Sequence, residues 1–160
     1  MKLAASLLLV LVGSTAQGAA KLDMTDFFTG KSHADNVIKI ALQGSHKLIV
    51  DSVGGRNKAG EFVLLDTVQE EGKPVRKRTW VMRPAGDNHF TGFLSDATGP
   101  VDVMVGGDTA TIRYTMKDGG LKIVQQIKLQ PDGKTLSNQV VAKKFGMTVA
   151  HVDGTIRKVD

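Results

Sequence analysis

The chain has 160 residues, no cysteine, and a formal charge of +5 at pH 7 from 21 basic and 16 acidic side chains. That length fits one domain burying roughly two thirds of its unfolded surface, so no covalent staple is needed, and the lack of cysteine rules out disulfides, thiolate metal sites and a cysteine nucleophile. The basic residues are spread out and stand beside acids, as in Glu70-Glu71-Gly72-Lys73, with no aromatic-interleaved stripe of the kind that stacks bases, which argues against a nucleic-acid partner.

Residues 1–20 carry the pattern of a secretory signal. Lys2 is the charged start, Leu3 to Val12 an apolar run too short to span a bilayer, and GSTAQGAA a small-residue cleavage region. Cleavage after Ala16, Gly18 or Ala20 fits equally, and no cysteine follows to take a lipid. The expectation is a mature domain over residues 21–160, periplasmic or secreted, with no transmembrane segment.

Leu22 to Gly30 predicts a short helical turn, with Asp23 as N-cap, Asp26 in the first turn and Gly30 as the stop. Phe27 and Phe28 would plug one end of a sheet or barrel. Strands then follow in sequence. Asn36–Leu42 sets Ile38, Ile40 and Leu42 against Val37, Lys39 and Ala41. His46–Val53 sets Leu48 and Val50 against Lys47 and Asp51. Gly54-Gly55-Arg56-Asn57 reads as a turn leading to Glu61–Gln69, with Phe62 and Leu64 on one face and Val63 and Leu65 on the other. Glu71-Gly72 signals a hairpin.

The stretch Arg76–Lys117 holds the only Trp (Trp80), the only Tyr (Tyr114) and the basic cluster Arg76, Lys77, Arg78 and Arg83. Turn signals cut it at Pro84–Asn88, Gly99-Pro100 and Gly106-Gly107-Asp108. After the Asp118-Gly119-Gly120 turn, Leu121–Gln130 sets Leu121, Ile123, Gln125, Ile127 and Leu129 on one face. Pro131-Asp132-Gly133 turns the chain again, and Thr135–Lys143 carries Leu136, Asn138, Val140 and Ala142 inward. Met147–Val159 reads as a strand interrupted at Asp153-Gly154.

Strands at spacings of roughly 8–12 residues indicate an all-β domain. Closure removes exposed edges, so the expected fold is a single antiparallel up-and-down β-barrel of about eight to ten strands, partly filled, with a short N-terminal helical turn.

Several short motifs, in order, resemble a known family. They are Arg78-Thr79-Trp80, His89-Phe90-Thr91-Gly92 with Asp96 and Gly99, and Gly106-Gly107-Asp108 before Tyr114. In the tail they are Leu136-Ser137-Asn138 and Lys144 to Val149, KFGMTV. From Phe28-Thr29-Gly30 onward the chain resembles the lipocalin-like envelope proteins of proteobacteria that are catalogued as a domain of unknown function. The resemblance implies a calycin-type barrel, often lipid-anchored, with no established activity. Two departures stand out. The anchoring cysteine is missing, which implies a soluble periplasmic form, and an acidic Trp-containing motif is replaced by KIVQQIKLQ, so no role of that motif carries over.

Alternation puts Arg78 on the face of Trp80 and Met82, and an inward Arg needs a partner. One reading makes it the anchor for a small anionic amphiphile, its planar fork taking the head group. In that reading Trp80, Phe62, Phe90, Tyr114, Ile123 and Ile127 line an apolar site, with Gln125 and Asn138 completing its polar contacts. The other reading pairs Arg78 with Asp66, which the Glu71-Gly72 hairpin brings to the facing strand. His33, His46, His89 and His151 lack metal-ligand spacing, and no nucleophile elbow or phosphate loop is present. No catalytic residue, metal or cofactor is therefore assigned. The functional expectation is a monomeric periplasmic carrier of a small apolar or fatty-acid-like ligand. The alternatives are an envelope interaction module with a filled barrel, or an isomerase- or cyclase-type enzyme built on Arg78, Asp66 and Asn138.

Overall fold

The computed structural model describes residues 20–159. The signal expected at residues 1–20 therefore lies, apart from Ala20, outside the described residues. One helix and ten strands follow: α1 Met24–Phe28, β1 Gly30–Ile40, β2 Gly44–Arg56, β3 Phe62–Glu70, β4 Arg76–Gly86 and β5 His89–Leu94, then β6 Ala97–Gly106, β7 Thr109–Met116, β8 Lys122–Leu129, β9 Thr135–Lys144 and β10 Met147–Val159. Each strand pairs antiparallel with the next, and β10 returns to pair with β1, so the sheet closes into a barrel with no free edge.

The helix forms as its sequence dictates. Asp23 caps it by accepting from the Asp26 amide at 2.9 Å, and Phe27 and Phe28 turn inward, where both are buried. Along β2, Val50 and Ser52 face inward while Asp51 and Val53 face outward, the two-residue period of a pleated strand with one face in the core. Leu94, Val101 and Leu136 are fully enclosed at the heart of the barrel.

Several boundaries differ from the sequence reading, among them the Pro84–Asn88 turn, where β4 runs on through Gly86 and the chain reverses at Asp87-Asn88. β1 begins at Gly30 rather than Asn36, and Leu42 lies in the β1–β2 turn, fully exposed at φ 66°, not on an apolar face. Gly54-Gly55 is not a turn; β2 runs through it to Arg56, and the chain reverses at Asn57–Gly60. Glycine serves there because a Cβ on Gly54 would stand 2.1 Å from the Phe28 carbonyl oxygen, where α1 crosses the strand. Gly99-Pro100 sits inside β6 at a break in register between Thr98 and Asp102, and the β5–β6 turn is at Ser95-Asp96 instead. Asp153-Gly154 does not interrupt β10: a Cβ on Gly154 would lie 2.1 Å from the Asp35 carbonyl oxygen, so the small residue lets β1 and β10 approach.

On the outside of β1, β2 and β10, His33 lies 2.6 Å from Asp51 and 3.3 Å from Asp35, and Arg157 donates to Asp35 at 2.7 Å. No helix among the described residues is long and apolar enough to cross a membrane.

Candidate functional site

The barrel interior holds a cavity of about 110 Å³ below α1. Its upper wall is apolar. Met24 and Phe28 come from α1, Phe62 and Leu64 from β3, Met82 from β4 and Phe90 from β5. Its floor is polar, built from Asp66, Arg78, Gln125 and Asn138. Asp66 and Arg78 are the charged residues of this lining.

The β3–β4 hairpin fixes the charged half of the floor by register, setting Asp66 directly across from Arg78. Arg78 Nε donates to Asp66 Oδ2 at 2.7 Å, and the Trp80 indole N–H donates to the same oxygen at 2.8 Å. Ser52 supplies a third donor, to Oδ1 at 2.7 Å. A carboxylate that is 4 % exposed is thus held by one cation and two neutral donors, which is what its burial demands. The guanidinium also lies over the Trp80 ring, 5.3 Å from its centroid. Burial works against the charge on Arg78, yet the field of Asp66 and the bond to it prevail and hold its pKa above the ordinary arginine value.

The neutral half of the floor is a chain of amides spanning three strands and ending on a fourth. Gln125 Nε2 donates to Asn138 Oδ1 at 2.7 Å, Asn138 Nδ2 to Asn36 Oδ1 at 2.8 Å, and Asn36 Nδ2 to the Leu48 carbonyl at 3.3 Å. Buried amides in such a chain satisfy one another and fix the geometry of the floor.

Seven of the residues singled out in the sequence meet at this cavity: Phe62, Asp66, Arg78, Trp80, Phe90, Gln125 and Asn138. The other three do not line it. Ile123 and Ile127 are buried in the barrel wall, and Tyr114 stands behind Trp80 in an edge-on contact at 5.6 Å. Burial raises the Tyr114 pKa, against the opposing pull of Arg78. Sequence reading missed Ser52 and Asn36, although each shares strand parity with the inward residues Val50 and Ala34. The roof residues Met24 and Thr25 carried no such signal, because their place depends on how α1 folds across the barrel.

Above the cavity lies an outer cleft of about 410 Å³ that shares Met24, Thr25, Phe62, Met82 and Phe90 with it. Lys21, Asp23 and Arg56 stand on its rim. The shared residues stand at the boundary between cleft and cavity, and two of them are methionines, whose unbranched side chains repack readily. Among the described residues no cluster of His, Asp or Glu could hold a metal ion.

Closed antiparallel topology, an interior partly filled from one end by a short N-terminal helix, and a polar floor under an apolar roof define a lipocalin-like barrel. The chain belongs to a family described as "Protein of unknown function (DUF3833)", whose model matches residues 6–158. Two solved structures share the fold. One is an S-type phycobiliprotein lyase from Guillardia theta, 7 % identical, with a TM-score of 0.67 over 85 % of this chain and 90 % of that one. The other is a protein of unknown function from the DUF3598 family of Nostoc punctiforme, 11 % identical, with a TM-score of 0.59 over 91 % of this chain and 53 % of that one. At such identities these likenesses speak to fold alone. No curated protein matches the sequence.

Proposed function

We propose that this barrel is a monomeric periplasmic binding protein for a small, largely apolar molecule, carried in the interior with its polar end on the floor. The observation that carries the reading is the cavity itself: an apolar wall over convergent polar groups is the usual make-up of a small-molecule site. Its size bounds the ligand. An apolar cavity of about 150 Å³ accommodates benzene, whereas whole ligand pockets begin near 300 Å³. An interior of about 110 Å³ falls below both, so it takes a short alkyl segment with its polar end, and anything longer extends past Met24 and Met82 into the cleft. Native mass spectrometry of protein isolated from the periplasmic fraction of its own cells tests carriage and compartment together. A small molecule retained on the folded protein supports the reading. A bare polypeptide mass, or protein found only in the cytoplasmic fraction, counts against it.

A second reading rests on a separate feature. Val53 and Leu65 face each other on the outside of β2 and β3, and Val63, Val81 and Phe93 continue the row across β3, β4 and β5. Leu65, Val53 and Phe93 are about half exposed. An apolar ribbon of this kind suits an envelope interaction module, and a barrel whose interior stays empty while this face captures a partner would favour it.

A further inference from the structure

We propose, resting on the interior-binding reading, that the ligand meets the floor with a neutral hydrogen-bond acceptor such as a ketone, ester or amide carbonyl, and that the site rejects free carboxylates. The sequence invites the opposite choice, since an inward arginine suits an anionic head group. The structure changes the accounting of charge. Asp66 already neutralises Arg78 at 2.7 Å, and these two are the charged residues of the lining. A second carboxylate brought to the floor would leave a net buried negative charge with no cation to offset it. Taking an ion out of water is costly, and a cation already paired returns only part of that cost.

Beyond the pair, Asp96 adds to the negative side of the field at Arg78, though Arg76 holds it in an ion pair of its own. Among the described residues no further cation lines the cavity to reverse that balance.

The same geometry leaves donors available. Only Nε of Arg78 is engaged by Asp66; its two terminal amino groups take no partner among the described residues. Gln125 spends one amide hydrogen on Asn138 and keeps its second. The floor thus offers positively polarised N–H groups in a surrounding of zero net charge. A carbonyl oxygen satisfies such donors without bringing a charge, and a hydrocarbon leaves them unmet. A primary ammonium can reach the Gln125 carbonyl oxygen, which takes no partner among the described residues, but it sets a second positive charge beside Arg78 with only the already paired Asp66 to offset it.

Matched six-carbon probes separate the possibilities, with Trp80 as the reporter because it is the only Trp in the chain and lines the cavity. The protein is titrated with 2-hexanone, hexanoate and hexylammonium at neutral pH, following Trp80 emission. The expected order places 2-hexanone tightest, with each ion weaker by at least about tenfold, the change that 1.4 kcal/mol produces. Hexanoate or hexylammonium binding as tightly as the ketone, or more tightly, overturns the inference while leaving interior binding intact. No response to any of the three overturns the interior-binding reading itself. Asp66→Asn supplies a second arm. It leaves Arg78 uncompensated in nearly the same shape, so the preference should move toward hexanoate. An unchanged order in a folded Asp66→Asn protein also overturns the inference. If that variant does not fold, the order measured on the natural chain decides alone.

Discussion

Replacing Arg78 by methionine keeps most of the aliphatic volume but removes the cation from a carboxylate that is 4 % exposed. Breaking a buried pair from one side costs about 3–5 kcal/mol. Here the lower end applies, because Ser52 and Trp80 continue to donate to Asp66 and the Arg78 side chain is itself 17 % exposed. Loss of the contact over the Trp80 ring adds about 0.5–1 kcal/mol. The expected cost is about 3–4 kcal/mol. Asp66→Leu is damaging for a different reason: it orphans Arg78, the Ser52 hydroxyl and the Trp80 indole N–H together. The double variant removes both charges but leaves the Ser52 and Trp80 donors unmet, at about 1–3 kcal/mol each. It should therefore remain less stable than the natural protein, yet be more stable than the sum of the two single losses by about 2 kcal/mol, the coupling of residues in one network. Urea denaturation of all four proteins gives the cycle. Additivity within about 0.5 kcal/mol would refute the claim that this ion pair is a structural element of the floor.

Gly54→Ala should destabilise by about 1–3 kcal/mol through overpacking, since its Cβ would meet the Phe28 carbonyl at 2.1 Å, whereas Gly55→Ala, with nothing within 4 Å, should fall within about 0.5 kcal/mol of neutral; equal urea midpoints would contradict the docking of α1 on β2. His33 has a raised pKa, chiefly from its bond to Asp51, so its contribution is complete below its unfolded value of about 6.5 and is lost as pH rises through the folded value. The stability gap between natural protein and His33→Gln should thus close with rising pH, and a gap that widens would refute it. Glu70 runs the other way: burial alone would raise its pKa, but Lys73 at 2.7 Å and His46 at 2.8 Å outweigh burial and lower it. Its contribution is present above about 4.3 and is lost as pH falls through the folded value, so Glu70→Gln should converge with the natural protein in acid. Met82→Ala should open the boundary between cleft and cavity and improve binding of ketones longer than 2-hexanone, at about 1–2 kcal/mol of stability for a half-buried methionine; unchanged chain-length preference by fluorescence titration would show that Met82 does not limit access.

The closed barrel was legible because its information is local and repeated: alternation along each strand and turn chemistry between strands. The Asp66–Arg78 pair was legible for the same reason, since one hairpin fixes both residues. Reading failed where glycine acts through space rather than through a turn. Gly54 and Gly154 look like punctuation in one dimension, yet each marks where another part of the chain passes close. The cavity was half legible. Parity identifies which side chains point inward, but volume depends on how all ten strands tilt and on where α1 lies. Ile123, Ile127 and Tyr114 carry the right parity and size, and still sit in the wall rather than on the cavity surface. The anionic head group suggested by Arg78 alone shows the same limit: a cation's chemistry is set by its partner, and here the partner is already in place.

The central claim is that the interior is the binding site. Methyl NMR of the labelled protein titrated with 2-hexanone tests it most directly, because the cavity wall and the outer ribbon carry different methyl groups. The account predicts saturable shifts at Val50, Leu64, Val103, Ile112 and Ile156 around the cavity, with the outward methyls of Val53 and Leu65 unmoved. Shifts confined to Val53 and Leu65, or none at any methyl at saturating probe, would contradict it.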